Sequence, residues 1–198
     1  MVAEARTSRL AKSKPLKFTQ PKLLTFEDYA RLTPPESGNY ELHNGKIILM
    51  PSPLFPHQKL LRRLMRLLSN FLHENELGEL LCAPMDVIFN PNDTMQPDIL
   101  FVSNERLSII DRQIKGAPDF IVEILSEGNT AKEMSYKKYV FETHGVREYW
   151  LINLEKQIIT QYENIEDEFV IRNKIKSDGS LTSVVMEGFT LKASDIFE

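Results

Sequence analysis

One segment constrains the fold of this chain most, the apolar run from Phe120 to Leu125. Polar side chains do not alternate with apolar ones in this run, which is typical of a strand covered on both faces. Such strands occur in layered α/β domains, where helices cover a central sheet. The exception is Glu123, because a buried carboxylate costs several kcal/mol unless a cation or hydrogen bonds compensate its charge. The sequence therefore predicts a buried partner for Glu123.

A second carboxylate stands at the start of another apolar run. Asp98 follows Pro97 and precedes the segment from Ile99 to Val102. Two carboxylates on neighbouring strands, followed by a helix that contains Lys137, indicate a divalent-metal site for phosphodiester cleavage. The alternative is that Glu123 simply pairs with Lys137 while Asp98 faces solvent at a strand start, since motif matches also arise by chance.

Composition sets the class of protein. The chain has 198 residues, of which 42% are hydrophobic, enough for one domain with a substantial core and too many for a disordered chain. There is no apolar run of the roughly 20 residues that cross a bilayer, and no secretory signal at the N-terminus. The single cysteine, Cys82, excludes an intramolecular disulfide and a cysteine-based zinc site, so we expect a cytoplasmic protein. The four histidines show no metal-ligand spacing.

Charge is distributed unevenly along the chain. The net charge of −4 and the pI near 5.7 are unusual for a protein that binds nucleic acid. Residues 1–22 nevertheless hold six basic side chains against one acidic one, Glu4. This segment is predicted to be a flexible basic arm, either a solubilising tail or an arm that adds phosphate contacts. Residues 23–198 are expected to form one domain.

The order of predicted elements defines the fold class. A capped helix from Phe26 to Leu32 and a hairpin about Asn44-Gly45 precede a long helix from His57 to about Glu76, ended by Gly78. The core then follows as strands at 86–89, 99–102 and 119–125, a helix at 130–144 closed by Gly145, and a strand at 148–152, with further strands after it. This order, helix, three strands, helix, strand, predicts an α/β domain with a mixed central sheet and extra antiparallel strands.

Several motifs together carry a resemblance to a known family. They are the Gln96-Pro97-Asp98 turn, the strand Val122-Glu123-Ile124-Leu125-Ser126, the segment Asn129-Thr130-Ala131-Lys132-Glu133-Met134, Lys137, and Gly145-Val146-Arg147-Glu148-Tyr149-Trp150. In these residues the chain resembles the bacterial restriction-endonuclease-like proteins of the Uma2 type, within the PD-(D/E)xK nuclease superfamily. The similarity extends from about Leu24 to the C-terminus and is most specific from Gln96 to Trp150.

The resemblance implies a function and a set of site residues. It implies metal-dependent hydrolysis of nucleic acid, most simply by a DNA endonuclease that uses Mg²⁺ or Mn²⁺. Asp98 and Glu123 match the metal-binding acids, and Glu41 matches an early acidic residue of the superfamily. The superfamily places its lysine two residues after the glutamate, where this chain has Leu125; Lys137 on the following helix is the matching lysine. A homodimer would suit cleavage of both strands of a duplex.

The residue types suit this chemistry on their own account. Mg²⁺ takes oxygen ligands, commonly one or two carboxylates with water and substrate phosphate oxygens, and the Ile124 carbonyl is a candidate third ligand. Lys137 would orient the attacking water or stabilise the transition state. Lys138 lies about 100° further around the helix and should not replace it. A catalytically silent module that binds nucleic acid or protein on the same fold remains the alternative, and the acidic pI favours it.

Other residues receive structural expectations. His57 is predicted to cap the long helix or lie at the surface, Tyr149 and Trp150 to pack in the core, and Cys82 to be buried rather than nucleophilic. Arg62, Arg63 and Arg66 form a basic cluster that either meets phosphate or is the solvated face of the helix. The sequence has none of the phosphate-binding glycine loops or nucleophile elbows of other enzyme classes.

Overall fold

The computed structural model describes residues 22–33, 39–126 and 128–198. In this part of the chain the helices are α1 (Phe26–Leu32), α2 (Phe55–Asn75), α3 (Ala131–Thr143) and α4 (Ser194–Phe197). The strands are β1 (Tyr40–His43), β2 (Lys46–Leu49), β3 (Gly78–Cys82), β4 (Val87–Asn90), β5 (Asp93–Met95), β6 (Ile99–Ser103), β7 (Ile114–Lys115), β8 (Phe120–Leu125), β9 (Glu148–Asn153), β10 (Ile158–Ile165), β11 (Glu168–Ile175), β12 (Ser180–Thr182) and β13 (Thr190–Lys192).

Two larger sheets organise the molecule. The central sheet has the order β11-β10-β9-β8-β6-β3, and the smaller one has the order β2-β1-β5-β4-β7. Within the central sheet β6 and β8 are antiparallel, whereas β8 and β9 are parallel and are connected through α3. The predicted α/β class, with its restriction-endonuclease-like order and mixed sheet, is therefore confirmed.

Alternation along the strands separates two hydrophobic cores. One face of the central sheet, which carries Phe101, Val122 and Trp150, packs against the leucine stripe of α2. The opposite face carries Leu100 and Ile121 and packs with residues of α3 and the smaller sheet. Because side chains alternate along a strand, Asp98 and Glu123 lie on this second face. The two carboxylates thus lie on the face of the sheet that packs with α3 and the smaller sheet.

Local signals placed most elements correctly. Thr25 caps α1 in a capping box with Asp28, and Thr130 caps α3 in the same way with Glu133. Asn44 and Gly45 have φ of 47° and 69°, as the predicted two-residue hairpin requires. Tyr149 and Trp150 are fully buried, as predicted.

Three predictions for the segment between Gly78 and Phe89 were wrong. The strand expected at 86–89 is β4 of the smaller sheet, and the first strand of the central sheet is instead β3, which pairs with β6. Gly78 begins β3; α2 ends because Glu76 adopts a left-handed φ of 49°. Cys82 is exposed, because it lies at the last position of this edge strand.

The predicted basic arm and the expected lack of a membrane-spanning helix can be compared with the structure only in part. The predicted basic arm, residues 1–22, lies outside the described residues except for Lys22. Among the helices of the described part, none combines the length and hydropathy that would carry it across a membrane.

Candidate active site

Four separate elements bring the predicted site residues together. The antiparallel register pairs Ile99 with Val122, so Asp98 and Glu123 stand side by side one step further along the two strands. Glu41 comes from β1 of the smaller sheet and Lys137 from the middle of α3. All four line one cavity of about 330 Å³. The predicted convergence of Asp98, Glu123, Lys137 and Glu41 is therefore present in the structure.

Lys137 is the centre of this cluster. Its side chain is 2% exposed, and its ammonium Nζ lies 2.5 Å from Glu123 Oε1 and 3.0 Å from Glu41 Oε1. Of the two contacts, only the one with Glu41 also has the alignment of a hydrogen bond. Burial alone would lower the pKa of the amine, but the two carboxylates outweigh it and raise that pKa. Lys137 is therefore a buried ammonium that its two acid neighbours keep charged at neutral pH.

Glu41 is fully committed to neighbours within the protein. Its Oε1 accepts hydrogen bonds from the Gln96 backbone N–H at 2.8 Å and from Lys137, and its Oε2 lies 2.7 Å from His43 Nε2. Burial favours the neutral acid, but Lys137, His43 and the Gln96 N–H outweigh it and lower the pKa of Glu41 to about 2. With both oxygens in use, Glu41 holds Lys137 in place.

For Glu123, the influences that raise the pKa outweigh those that lower it. Burial is the largest influence on it, the attraction of Lys137 does not offset it, and the nearby acids Asp98 and Glu41 add repulsion. Together they raise the pKa of Glu123 to about 8. Glu41 and Glu123 share the same lysine, but among the described residues only Glu41 has further donors. Glu123 is therefore an acid whose negative charge the protein compensates incompletely, which is typical of functional sites.

Asp98 is held by one of its two oxygens. Its Oδ2 accepts the Ile124 backbone N–H at 2.7 Å and lies 3.2 Å from His57 Nε2. The prediction that His57 caps α2 or lies at the surface was wrong: it is 6% exposed and contacts Asp98. The N-cap residue of α2 is Leu54, which makes no side-chain capping bond, and Pro56 lies in the first turn. A histidine at a helix start gave no sequence signal for this contact, which connects residues 41 positions apart.

Two carboxylate oxygens of the cavity are left for a ligand. Within the described part of the chain, neither Asp98 Oδ1 nor Glu123 Oε2 makes a hydrogen bond with a protein group. Among the same residues no three His, Cys, Asp or Glu side chains group closely enough to hold an ion by themselves. The residues therefore fit an ion such as Mg²⁺, which needs only one or two carboxylates and completes its shell with water and phosphate oxygens.

The remaining predicted residues lie elsewhere. Lys138 turns away from the cavity, with its Nζ 5.0 Å from the centre of the Tyr162 ring. Arg63 donates to the Ile196 carbonyl at 3.2 Å and so anchors α4 to α2, while Arg62 and Arg66 are exposed. Cys82 lies at the rim of the cavity rather than in the core. The lysine pair is thus split as the helical geometry predicted.

Solved structures provide a comparison of the fold. One similar structure is a protein of Anabaena variabilis ATCC 29413 described as a putative nuclease belonging to DUF820, with a TM-score of 0.75 over 88% of this chain and 97% of the other. The two share 19% of their residues, a likeness that shows the fold alone. The type IIG restriction endonuclease BpuSI matches with a TM-score of 0.38 and 13% identity, over 64% of this chain and 14% of that enzyme, too weakly to support an argument.

Sequence comparison gives the family. No protein with a curated description matches the chain in sequence. The model of the family described as Uma2, putative restriction endonuclease, matches residues 26–194, which include the central sheet, α3 and all four residues of the cavity. The match confirms the resemblance seen in the motifs, and the chain belongs to the Uma2 family of restriction-endonuclease-like proteins.

Proposed function

We propose that this protein is a divalent-metal-dependent endonuclease that hydrolyses phosphodiester bonds in DNA. The observation that carries the proposal is the cavity in which Asp98 and Glu123 each keep one oxygen without a hydrogen bond to the protein, beside the buried Lys137 ammonium. The family supports nuclease activity in general. DNA as the substrate, Mg²⁺ or Mn²⁺ as the ion, the cytoplasm as the compartment and a homodimer as the assembly are parts of this proposal.

The metal would be held by Asp98 and Glu123. When bound, such an ion polarises the phosphate and lowers the pKa of an attacking water. The protein contributes rigidity: the Ile124 N–H and His57 fix one Asp98 oxygen, which directs the other away from them. The Ile124 carbonyl is proposed as a further oxygen ligand. A cation near Glu123 would also neutralise the acid whose pKa is raised most in this cavity.

Lys137 is proposed to act on the phosphate and the water. Glu41 holds the ammonium at 3.0 Å, so its position does not depend on Glu123 alone. Fixed positive charge at a buried position stabilises the negative charge that develops in the transition state, without reorganisation at the moment of reaction. The same ammonium orients the water for attack. Glu41 is thus a positioning residue, and Lys137 touches the reacting atoms.

The second candidate is a silent binding module on the same fold. The ion pairs of Lys137 with Glu41 and Glu123 favour it, because they supply part of the compensation that these acids need without a metal. The two candidate functions differ in their dependence on a divalent ion. A silent module would bind nucleic acid or protein equally well with or without divalent ions, whereas the nuclease would lose both metal binding and cleavage when Asp98 or Glu123 is neutralised.

Cleavage of supercoiled plasmid and of single-stranded DNA in Mn²⁺ tests the proposal. The wild type and Lys138→Ala should cut, because Lys138 faces the Tyr162 ring. Asp98→Asn should cut at least about 10²-fold more slowly, and EDTA should stop all cleavage. If the wild type cut no nucleic acid in any divalent ion, the silent module would be correct. If Asp98→Asn cut as fast as Lys138→Ala, the site would lie elsewhere.

A further inference from the structure

A second cavity, here called the side cavity, adjoins the cavity of Asp98 and Glu123. It has a volume of about 500 Å³ and shares His57, Ser126 and Asn129 with its neighbour. It lies where the parallel strands β8 and β9 end, a place where α/β sheets commonly bind ligands. The volume is within the range of small-molecule pockets. A group in the side cavity would therefore lie directly beside a phosphate bound at the acids.

The wall of the side cavity is partly apolar and partly polar. Leu125 at the end of β8, Leu154 after β9, and Leu54 and Pro56 at the start of α2 form the apolar part, and the polar part is formed by His57, Ser126, Asn129, Asn153 and Glu155. Among the described residues that line it there is no lysine or arginine, and Glu155 contributes a carboxylate. A phosphate would meet repulsion from that carboxylate and no lysine or arginine among these residues. A flat, uncharged group with apolar faces and polar edges fits this mixed lining better.

Asn129 and Asn153, which both line the side cavity, each have an amide NH₂ group available as a hydrogen-bond donor. The Asn129 oxygen accepts hydrogen bonds from the Ser126 N–H and hydroxyl at 2.8 and 3.1 Å, and the Asn153 oxygen accepts the Lys156 N–H at 2.8 Å. Their amide oxygens are therefore in use, and each side chain has its NH₂ group left as a donor. Amide donors suit the carbonyl oxygens of a nucleobase, and the Glu155 carboxylate suits an exocyclic amino group.

Leu54, which lines the side cavity, and Phe55, which follows it in the chain, are both exposed. Phe55 is 79% exposed and Leu54 is 57% exposed, although both belong to residue types that usually pack inside. An aromatic ring in this position would stack on a base or fill the gap that a displaced base leaves. This exposure is a second observation that favours a base rather than a phosphate as the occupant.

We propose that the side cavity binds the nucleobase of a nucleotide next to the phosphodiester that is cut. This inference rests on the proposed function for the neighbouring acids. It names the substrate class as nucleic acid with an unpaired base beside the cleavage point. Unstacking a base costs a few kcal/mol in a duplex and least in single strands or mismatches, so such strands should be the better substrates.

Binding of two 12-nucleotide single strands in the presence of Ca²⁺ tests the inference. One strand is oligothymidylate and the other has the same phosphates but an abasic unit at every position. The wild type should bind the strand with bases at least about ten-fold more tightly, since each stacked base contributes substantially to single-strand binding. The double variant Leu54→Ala, Phe55→Ala should lose most of this preference. Leu32→Ala, which changes a leucine of similar exposure outside both cavities, should keep it.

A second variant assigns the effect to the side cavity itself. Asn153→Asp keeps the oxygen that accepts the Lys156 N–H and removes the NH₂ donor, so it should fold and lose base preference. Asn70→Asp, on the exposed face of α2, adds the same charge and should keep the preference. Equal affinity of the wild type for both strands, or an unchanged preference in Asn153→Asp and the double variant, would overturn the inference.

The outcome separates this inference from the proposed function. Base preference that depends on Asn153 and Leu54, in a protein that cuts nothing, would support the side cavity and overturn the nuclease. Cleavage that depends on Asp98, with no base preference, would do the reverse. Absence of binding to either strand would overturn the side cavity.

Discussion

Two glutamates buried on adjacent strands of one sheet have opposite surroundings. Glu148 begins β9 and accepts five hydrogen bonds from neutral donors: the Trp150 indole, the Gln161 amide, the Ser183 hydroxyl and the backbone N–H groups of Val184 and Val185. Glu123 on β8 has one cation, Lys137, and two acids, Asp98 and Glu41, near it. The Glu148 carboxylate has all its hydrogen bonds made within the fold, whereas the negative charge of Glu123 is only partly compensated.

This difference distinguishes a structural acid from a site acid. The donors of Glu148 come from β9, β10 and the segment 183–185, so its carboxylate joins the C-terminal part of the chain to the central sheet. Buried polar groups with all their bonds made stabilise a fold, whereas a buried acid among other acids raises the free energy of the apo protein. A charge that the fold leaves uncompensated is available to a ligand, and this is why Glu123 rather than Glu148 is proposed to bind metal.

Removal of Lys137 should have the largest effect. Lys137→Ala leaves Glu41 and Glu123 buried without their cation, and breaking a buried pair of this kind costs about 3–5 kcal/mol. Cleavage should also fall about 10²- to 10⁴-fold, measured at a temperature where circular dichroism shows the variant to be folded. Urea denaturation gives the stability. Lys138→Ala is the matched control and should stay within about 1 kcal/mol of wild type, because Lys138 is partly exposed. A stable, active Lys137→Ala would contradict the assigned role.

Glu148→Gln should have the second largest effect, a loss of about 2–4 kcal/mol in the free energy of unfolding. At least two of its five donors would face an NH₂ group in place of an oxygen, and each buried donor without an acceptor costs about 1–3 kcal/mol. Equilibrium denaturation measures the loss. The comparison of the two glutamates predicts that this variant, where folded, keeps the full thermal response to Mg²⁺. Loss of that response would show that the two acids do not have separate roles.

Glu123→Gln should instead stabilise the apo protein at alkaline pH. Because the pKa of Glu123 is raised from 4.5 to about 8, the folded state holds a proton that the unfolded state releases, and stability falls as the pH rises from about 4.5 to 8. Glutamine removes this slope. We expect a gain of about 1–3 kcal/mol at pH 8, less than the full shift implies, because the variant also loses the ion pair with Lys137. Melting temperatures between pH 5 and pH 9 would reveal it.

The acid side of the same pH profile provides an internal control. The pKa of Glu41 is lowered to about 2, so its contribution is present above pH 4.5 and is lost as the pH falls toward 2. Glu123→Gln should leave this acid limb unchanged. A variant that followed the wild type over the entire pH range would show that Glu123 is compensated as well as Glu148 is.

Asp98→Asn should have the smallest effect on folding. Its side chain is only partly buried, and an asparagine oxygen can still accept the Ile124 N–H. We expect the free energy of unfolding of the apo protein to change by less than about 1 kcal/mol. The Mg²⁺-dependent rise in melting temperature should nevertheless disappear. A destabilisation as large as that of Glu148→Gln would indicate a structural rather than a ligand-binding acid.

Much of the fold was predictable because its signals are local. The capping boxes, the Asn44-Gly45 turn and the leucine stripe of α2 each determine a neighbouring element. The strand at β4 was assigned to the wrong sheet because alternation along a strand does not say which sheet the strand joins. β3 was missed because a short apolar run such as Leu80-Leu81 is equally compatible with core, helix or strand.

The site was predictable in its residues but not in its balance of charge. Two carboxylates in apolar strands and a lysine on the next helix indicated the cluster, and the structure places them in one cavity. The apolar pattern alone does not separate Glu123 from Glu148, since both are single acids in apolar strands; only the family resemblance selected Glu123. The distinction depends on donors up to 37 residues away, as between Glu148 and Val185. The contact of His57 with Asp98 and the side cavity likewise depend on tertiary packing.

The most direct test of the central claim is Mg²⁺ binding followed by thermal shift in three proteins. A ligand that binds only the folded state stabilises it by RT ln(1 + [L]/Kd), so the wild type should melt at a higher temperature as Mg²⁺ is added. Glu148→Gln should show the same increment from its lower starting temperature, and Glu123→Gln should show none. A full Mg²⁺ response in Glu123→Gln would contradict the account.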